Sequence, residues 1–163
     1  MLGLTVVVKF IVDSNVGKLA RWLRMMGYDA LFYQDIDDDK MIKIALFQGR
    51  VVLTRDTQIM KRRLVTNGRL KAVLITDDAP RAQLRQVVRQ LDLNCKVRPF
   101  SLCLECNANL VKRAKCEVHD RVPLHVFETQ DEYMECPVCH RIYWQGTHWK
   151  AMSKELEEFA SEA

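Results

Sequence analysis

The chain has 163 residues, 48% hydrophobic and 28% charged, with 25 Lys and Arg against 21 Asp and Glu for a formal net charge of +4. That composition describes a soluble globular protein with material for a core, and the length suits one ordinary domain, alone or with a smaller appendage, rather than a multidomain assembly. No stretch reaches the ~18 apolar residues of a bilayer-spanning helix, and the run 1–12 contains Lys9 and no small-residue cleavage site, so a buried strand in a cytoplasmic protein is expected.

Val6–Val12 is β-branched and apolar, Asp13, Ser14 and Asn15 offer a turn and a cap, and Val16, Leu19, Ala20, Leu23 and Met26 recur at helical spacing up to Gly27. This predicts a strand followed by a helix. Ala30–Tyr33 reads as a second strand, and after the acidic loop 35–39 a second helix carries Met41, Ile42, Ala45 and Leu46 as far as Gly49. Val51–Thr54 is a third strand, followed by a turn at Arg55, Asp56 and Thr57 and a short basic helix around Ile59–Leu64. Ala72–Thr76 is a fourth strand. Pro80, at home in a first turn, starts a helix with Leu84, Val87, Val88 and Leu91, for which Asp78 is the expected cap.

Such alternation implies a parallel sheet flanked by helices, with right-handed crossovers and functional residues at the carboxyl ends of the strands. Asp13, Asp56, Asp77 and Asp78 fall at that edge, and Asp37, Asp38 and Asp39 lie just ahead of the second helix. Beyond Arg98 and Pro99 the alternation stops. The predicted organisation is therefore an α/β core over 1–98, a four-cysteine module over 99–150, and a short amphipathic helix over 151–163 carrying Met152, Leu156, Phe159 and Ala160.

The charge divides the same way. Residues 1–98 hold 18 Lys and Arg against 10 acids, whereas 99–163 hold 7 against 11, so the parts carry +8 and −4. All ten acids of the first part are Asp, the first Glu being Glu105. Asp competes for backbone hydrogen bonds and favours caps, loop ends and metal sites over solvated helix faces.

Cys103 and Cys106 form one C-x-x-C pair and Cys136 and Cys139 another, with 29 residues between the pairs. Four thiolates complete a closed tetrahedral shell, so structural zinc is the expected ligand in a reducing compartment, supplying folding free energy to a segment with little core of its own. A redox C-x-x-C would need a thioredoxin-like strand ahead of it, which is missing. Cys95 and Cys116 read as ordinary thiols, and His119, His125, His140 and His148 show no ligand spacing.

Phosphodiester hydrolysis at neutral pH needs an activated water and a neutralised phosphate, and Mg²⁺ or Mn²⁺ held by carboxylates provides both. Asp13, Asp38 and Asp56 can converge from two strand ends and a helix start. Lys18, Arg21, Arg55, Lys61, Arg62 and Arg63 are candidates for holding an RNA or DNA backbone. Each also has a plain structural reading, the acids as helix caps and the bases as a solvated face.

The stretch Phe10–Asp29 (FIVDSNVGKLARWLRMMGYD), the acids Asp37, Asp38 and Asp39, and the segment Val52–Asp56 (VLTRD) resemble the PIN-like ribonuclease domain of the Mut-seven C-terminal family. Cys103 through Asn107, Leu110, the CPVC at Cys136–Cys139 and the segment Ile142–His148 (IYWQGTH) look like that family's zinc ribbon. The resemblance covers residues 9 to about 152. It implies a PIN-type α/β nuclease core followed by a zinc ribbon, and Mg²⁺- or Mn²⁺-dependent cleavage of RNA. Residue by residue it points to Asp13, Asp38 and Asp56, with Asp37 an alternative register and Asp77 or Asp78 candidates for a fourth acid. Single-stranded or loop RNA is the expected substrate, since its bases can be splayed and stacked. Two other classes fit parts of the pattern. A receiver-like phosphoacceptor domain would use Asp13, Asp56 and Thr76, but needs a fifth-strand Lys before Pro where this chain has Arg98. A non-catalytic RNA- or ribosome-binding zinc protein would use the basic surface and the cysteine module alone.

Overall fold

The computed structural model describes residues 7–162. Four strands, β1 (Lys9–Val12), β2 (Ala30–Phe32), β3 (Arg50–Thr54) and β4 (Ala72–Leu74), form a parallel sheet in the order β2-β1-β3-β4. Alternation along the strands explains its two covered faces. Phe10 and Val12 of β1 and Val51 and Leu53 of β3 pack with α1 (Lys18–Met25) and α5 (Pro80–Leu91). Ile11 and Val52 face the other way, against Met41, Ile42 and Ala45 of α2 (Asp38–Gln48) and against Ile59. The chain leaves β1 to one side through α1 and returns to its other side through α2. The strand order therefore reverses between β1 and β3, where α/β sheets open a crevice at their carboxyl ends.

Several expectations shift. The first strand starts at Lys9, with Val7 and Val8 ahead of it, and Val6 lies outside the described residues. The basic helix is two single turns, α3 (Thr57–Met60) and α4 (Arg63–Thr66), because Arg62 takes an extended conformation between them. Asp78 does not cap α5. Ala79 is the capping residue and offers no side-chain bond, while Asp78 lies one position too early and pairs with Arg55 at 2.5 Å. No strand forms around Arg98, so among the described residues the fifth strand of a receiver-like domain is missing. Instead the Arg98 backbone lies on Gly27. Arg98 N–H donates to the Met26 carbonyl at 3.1 Å, and a Cβ on Gly27, whose φ is +93°, would stand 2.5 Å from the Arg98 carbonyl oxygen.

Beyond residue 100 a second, antiparallel sheet contains β5 (Val111–Arg113), β6 (Tyr133–Glu135) and β7 (Ile142–Tyr143), with α6 (Leu124–Thr129) between β5 and β6. Its own core is small, with Val118, Val126 and Tyr133 buried. The last helix, α7 (Thr147–Ser161), begins before residue 151 and sends Met152, Leu156 and Phe159 into the same core cluster as α1 and α5, whereas Ala160 is exposed. Among the described residues no helix is long and apolar enough to cross a membrane.

The cysteine segment is tied to the sheet by buried polar contacts. Arg24 of α1, 5% exposed, donates from Nε to the Ala30 carbonyl at 2.9 Å and from Nη1 to the Leu104 carbonyl at 2.8 Å. Asn107 accepts from the Ala30 N–H at 3.0 Å and donates to Asp29 at 2.7 Å, and Arg50 grips the same carboxylate with two nitrogens at 2.7 and 3.0 Å.

Candidate active site

β1 ends at Val12 and the next residue, Asp13, is 6% exposed at the carboxyl edge. Its Oδ1 accepts from the Ser14 N–H at 2.8 Å, and its Oδ2 accepts from Thr54 Oγ1 at 2.6 Å. Thr54, the last residue of β3 and fully buried, also accepts from the Asp56 N–H at 3.0 Å. One hydroxyl thus bridges the two strand ends on either side of the crevice. Asp56 caps α3 through Oδ1, which accepts from the Gln58 N–H at 2.8 Å. Asn15 ties the same loops together by accepting from the Arg55 N–H at 3.3 Å. Sequence reasoning gives Thr54 no role of its own; the signal that marks it is its place two residues before an Asp at a strand end.

Asp38 arrives from the opposite face as the first residue of α2. Asp37, not Asp38, is the cap, accepting from the Lys40 N–H at 2.9 Å. Burial and the negative charges of Asp13 and Asp56 push the Asp38 carboxyl above its ordinary range, with Arg62 working against them. Three carboxylates from three elements therefore share one electrostatic environment. They are not a closed shell: among the described residues, the four cysteines are the one group of three or more His, Cys, Asp or Glu whose ligand atoms all lie within 4.8 Å of one another. Capping engages one oxygen each of Asp13 and Asp56, and a carboxylate oxygen retains a second lone pair, so a cap and an ion can use the same side chain.

The remaining candidates scatter. Asp78 pairs with Arg55 beside this edge, whereas Asp77 lines a separate depression with Arg85 and Arg89. Arg62 pairs with Asp39 at 2.7 Å, and Lys61 and Arg63 are exposed beside it. Lys18 and Arg21 lie on α1, where Arg21 is engaged by Glu105.

The two C-x-x-C pairs form matching turns. Asn107 and His140 each follow the second cysteine of their pair, each with a left-handed backbone at φ 63° and 62°, and each donates its N–H to the carbonyl of the first cysteine at 2.9 Å. The Cys106 N–H points at Cys103 Sγ at 3.4 Å and the Cys139 N–H at Cys136 Sγ at 3.5 Å. Cys103 Sγ and Cys139 Sγ stand 3.7 Å apart, and a tetrahedral ion with bonds of about 2.3 Å separates its sulfurs by about 3.8 Å. Burial and the sulfurs of Cys139 and Cys103 push Cys106 up to about 12, and burial raises Cys136 too. Four thiolates so close need a cation among them, and the cluster can bind zinc.

Compared with known proteins, the chain matches no curated protein and no solved structure. Residues 8–156 match the Mut7-C RNAse domain, spanning both the parallel sheet with its carboxylates and the four-cysteine module. The chain belongs to the Mut7-C RNAse domain family, whose description is that of a nuclease-type enzyme acting on RNA.

Proposed function

We propose that the protein is a metal-dependent ribonuclease that hydrolyses RNA phosphodiester bonds at Asp13, Asp38 and Asp56. The observation that carries this reading is the gathering of acids from three elements at the carboxyl edge of the sheet: one Thr54 hydroxyl bridges Asp13 and the Asp56 backbone, and Asp38, at the start of α2, feels the charge of both. Acids on three elements, gathered where a parallel sheet opens, and compensated in part by Arg62, form a hard-oxygen donor set suited to Mg²⁺ or Mn²⁺. A divalent ion bound there supplies Lewis-acid stabilisation of the phosphate and a water of lowered pKa.

The chain's own residues do the rest. Thr54 holds Asp13 Oδ2 and the Asp56 backbone in fixed relation, so two of the three donors are set before any ion arrives. Lys18, Arg21, Arg55, Lys61, Arg62 and Arg63 draw in the polyanion from the +8 part of the chain. Single-stranded RNA suits such a surface because its bases are free to stack. The cysteine module, with structural zinc, is a separately nucleated unit docked through Arg24 and Asn107.

Asp56→Asn keeps the cap oxygen that accepts from Gln58 and removes the charge. It should lower Mg²⁺- or Mn²⁺-dependent cleavage of a labelled single-stranded RNA by at least about 100-fold while leaving the thermal transition in place. Undiminished cleavage by the purified variant refutes the assignment. A second reading, a non-catalytic RNA-binding zinc protein, draws support from the capping bonds made by Asp13, Asp37 and Asp56. RNA retention without turnover by the unsubstituted protein would decide for it.

A further inference from the structure

A cleft of about 560 Å³ opens between the amino ends of α1 and α5 and the first cysteine turn. It begins at Ser14 and Asn15, the two residues after Asp13, and so adjoins Asp13, Asp38 and Asp56 without including them; the two acids that do line it, Asp78 and Glu105, are paired with Arg55 and Arg21. Its apolar walls are Phe32 of β2 and Leu104 of the cysteine turn. The Phe32 ring lies directly over Gly17, where a Cβ would stand 2.7 Å from a ring carbon. Gln83 of α5 also lines the cleft and is 4% exposed. Its Nε2 donates to the Asp77 carbonyl at 2.9 Å, which fixes the amide and leaves Oε1 without a hydrogen bond among the described residues. Lys18 is exposed at the rim and pairs with no acid among the described residues, whereas Arg21 and Arg24 are engaged by the cysteine turn.

We propose that this cleft holds one nucleotide of a single-stranded RNA, next to the nucleotide whose phosphate lies at the carboxylates. The assignment rests on the ribonuclease reading above and extends it to a site that recognises the base. The volume falls within the ~300–1,000 Å³ range of small-molecule sites. An aromatic face with an aliphatic neighbour suits a base, an immobilised amide oxygen accepts from an amino or imino N–H on the base edge, and an unpaired ammonium meets the phosphate. A duplex has neither that face nor that edge free. The cysteine module thereby contributes directly to the cleft. Leu104 forms one wall, held by Arg24 through its carbonyl and by Tyr143, whose hydroxyl oxygen accepts from the Leu104 N–H at 3.2 Å.

The test uses the full chain with no Mg²⁺ or Mn²⁺ added, so that binding is read without cleavage. Uridine and adenosine 5′-monophosphates, and inorganic phosphate alone, are titrated while amide resonances are followed. The expected result is saturable displacement of the Gly17, Phe32 and Leu104 backbone amides and of the Gln83 side-chain amide by the nucleotides but not by phosphate. Gly17→Ala is compatible with the backbone at φ −54° and forces the Phe32 ring to move. It should weaken a single-stranded RNA decamer by about fivefold or more, and Lys18→Ala should weaken it too. The same displacements from phosphate alone, displacements confined to other surfaces, or unchanged decamer affinity in a folded Gly17→Ala protein each overturn the proposal. Metal-dependent cleavage measured separately keeps the two readings apart. Cleavage without nucleotide in the cleft refutes the cleft alone, and nucleotide in the cleft without cleavage supports it while refuting the ribonuclease reading.

Discussion

Asp29 is the residue through which the sheet and the cysteine module share a charge. Burial acts to raise its carboxyl, but hydrogen bonds from Arg50 and Asn107 outweigh this and hold it below its ordinary value. A carboxylate depressed in the folded state binds fewer protons there than in the unfolded chain, so its contribution is present above the unfolded pKa and is lost as pH falls through the folded value. The stability difference between the protein and Asp29→Asn, measured by urea unfolding, should therefore be steady near neutrality and shrink below about pH 4. A difference that widened with acid would show that Arg50 and Asn107 do not set this carboxyl. None of this was legible in the sequence. Asp29 and Asn107 are 78 residues apart, and nothing in either neighbourhood marks a partner across the fold.

At the scale of elements, α7 raises a question of magnitude. Its acids face cations across the interface, Glu158 against Arg81 at 2.9 Å and Glu157 against Lys96 at 3.0 Å, and it also buries Phe159 beneath Arg81 and Arg85. Exposed pairs contribute about 0–1 kcal/mol each, whereas truncating a buried Phe costs about 3–5 kcal/mol. Phe159→Ala should thus lower the unfolding free energy by about 3 kcal/mol and Glu158→Gln by less than about 1 kcal/mol, read from denaturant midpoints; equal effects would reverse the ranking. The apolar spacing of Met152, Leu156 and Phe159 made this helix readable, and continuous β-branched apolar runs did the same for β1 and β3. What failed was local. Asp78 looked like a cap because an Asp ahead of Pro80 has the right composition, but capping depends on one register position, and Ala79 holds it. The break at Arg62 follows from backbone geometry that a run of Lys and Arg does not announce.

For the whole molecule, the candidate site was readable as strand-end Asp, an Asp at a helix start and two cysteine pairs, because edge position and ligand spacing are one-dimensional properties. Thr54 is marked only by its place two residues before Asp56, and Gln83 and Phe32 carry no such mark, since each acts through a neighbour that only the folded chain supplies. The cysteine module is small enough that three buried side chains cannot hold it. With zinc at the four cysteines, as proposed, a strong chelator should abolish hydrogen-exchange protection over β5, β6 and β7 while β1, β3 and α5 stay protected. Uniform loss across the chain would mean that the two sheets fold as one unit. A different consequence follows from the contacts at Ala30. β2 is an outer strand, paired with β1 on one side, and outer strands offer bare N–H and C=O groups to any passing chain. Here Asn107 occupies the Ala30 N–H and Arg24 the Ala30 carbonyl, so the flank is plugged by side chains. The turn that shapes the cysteine cluster also denies that edge to a second molecule, and resistance to edge-to-edge aggregation becomes a property guarded by a cysteine-bearing loop.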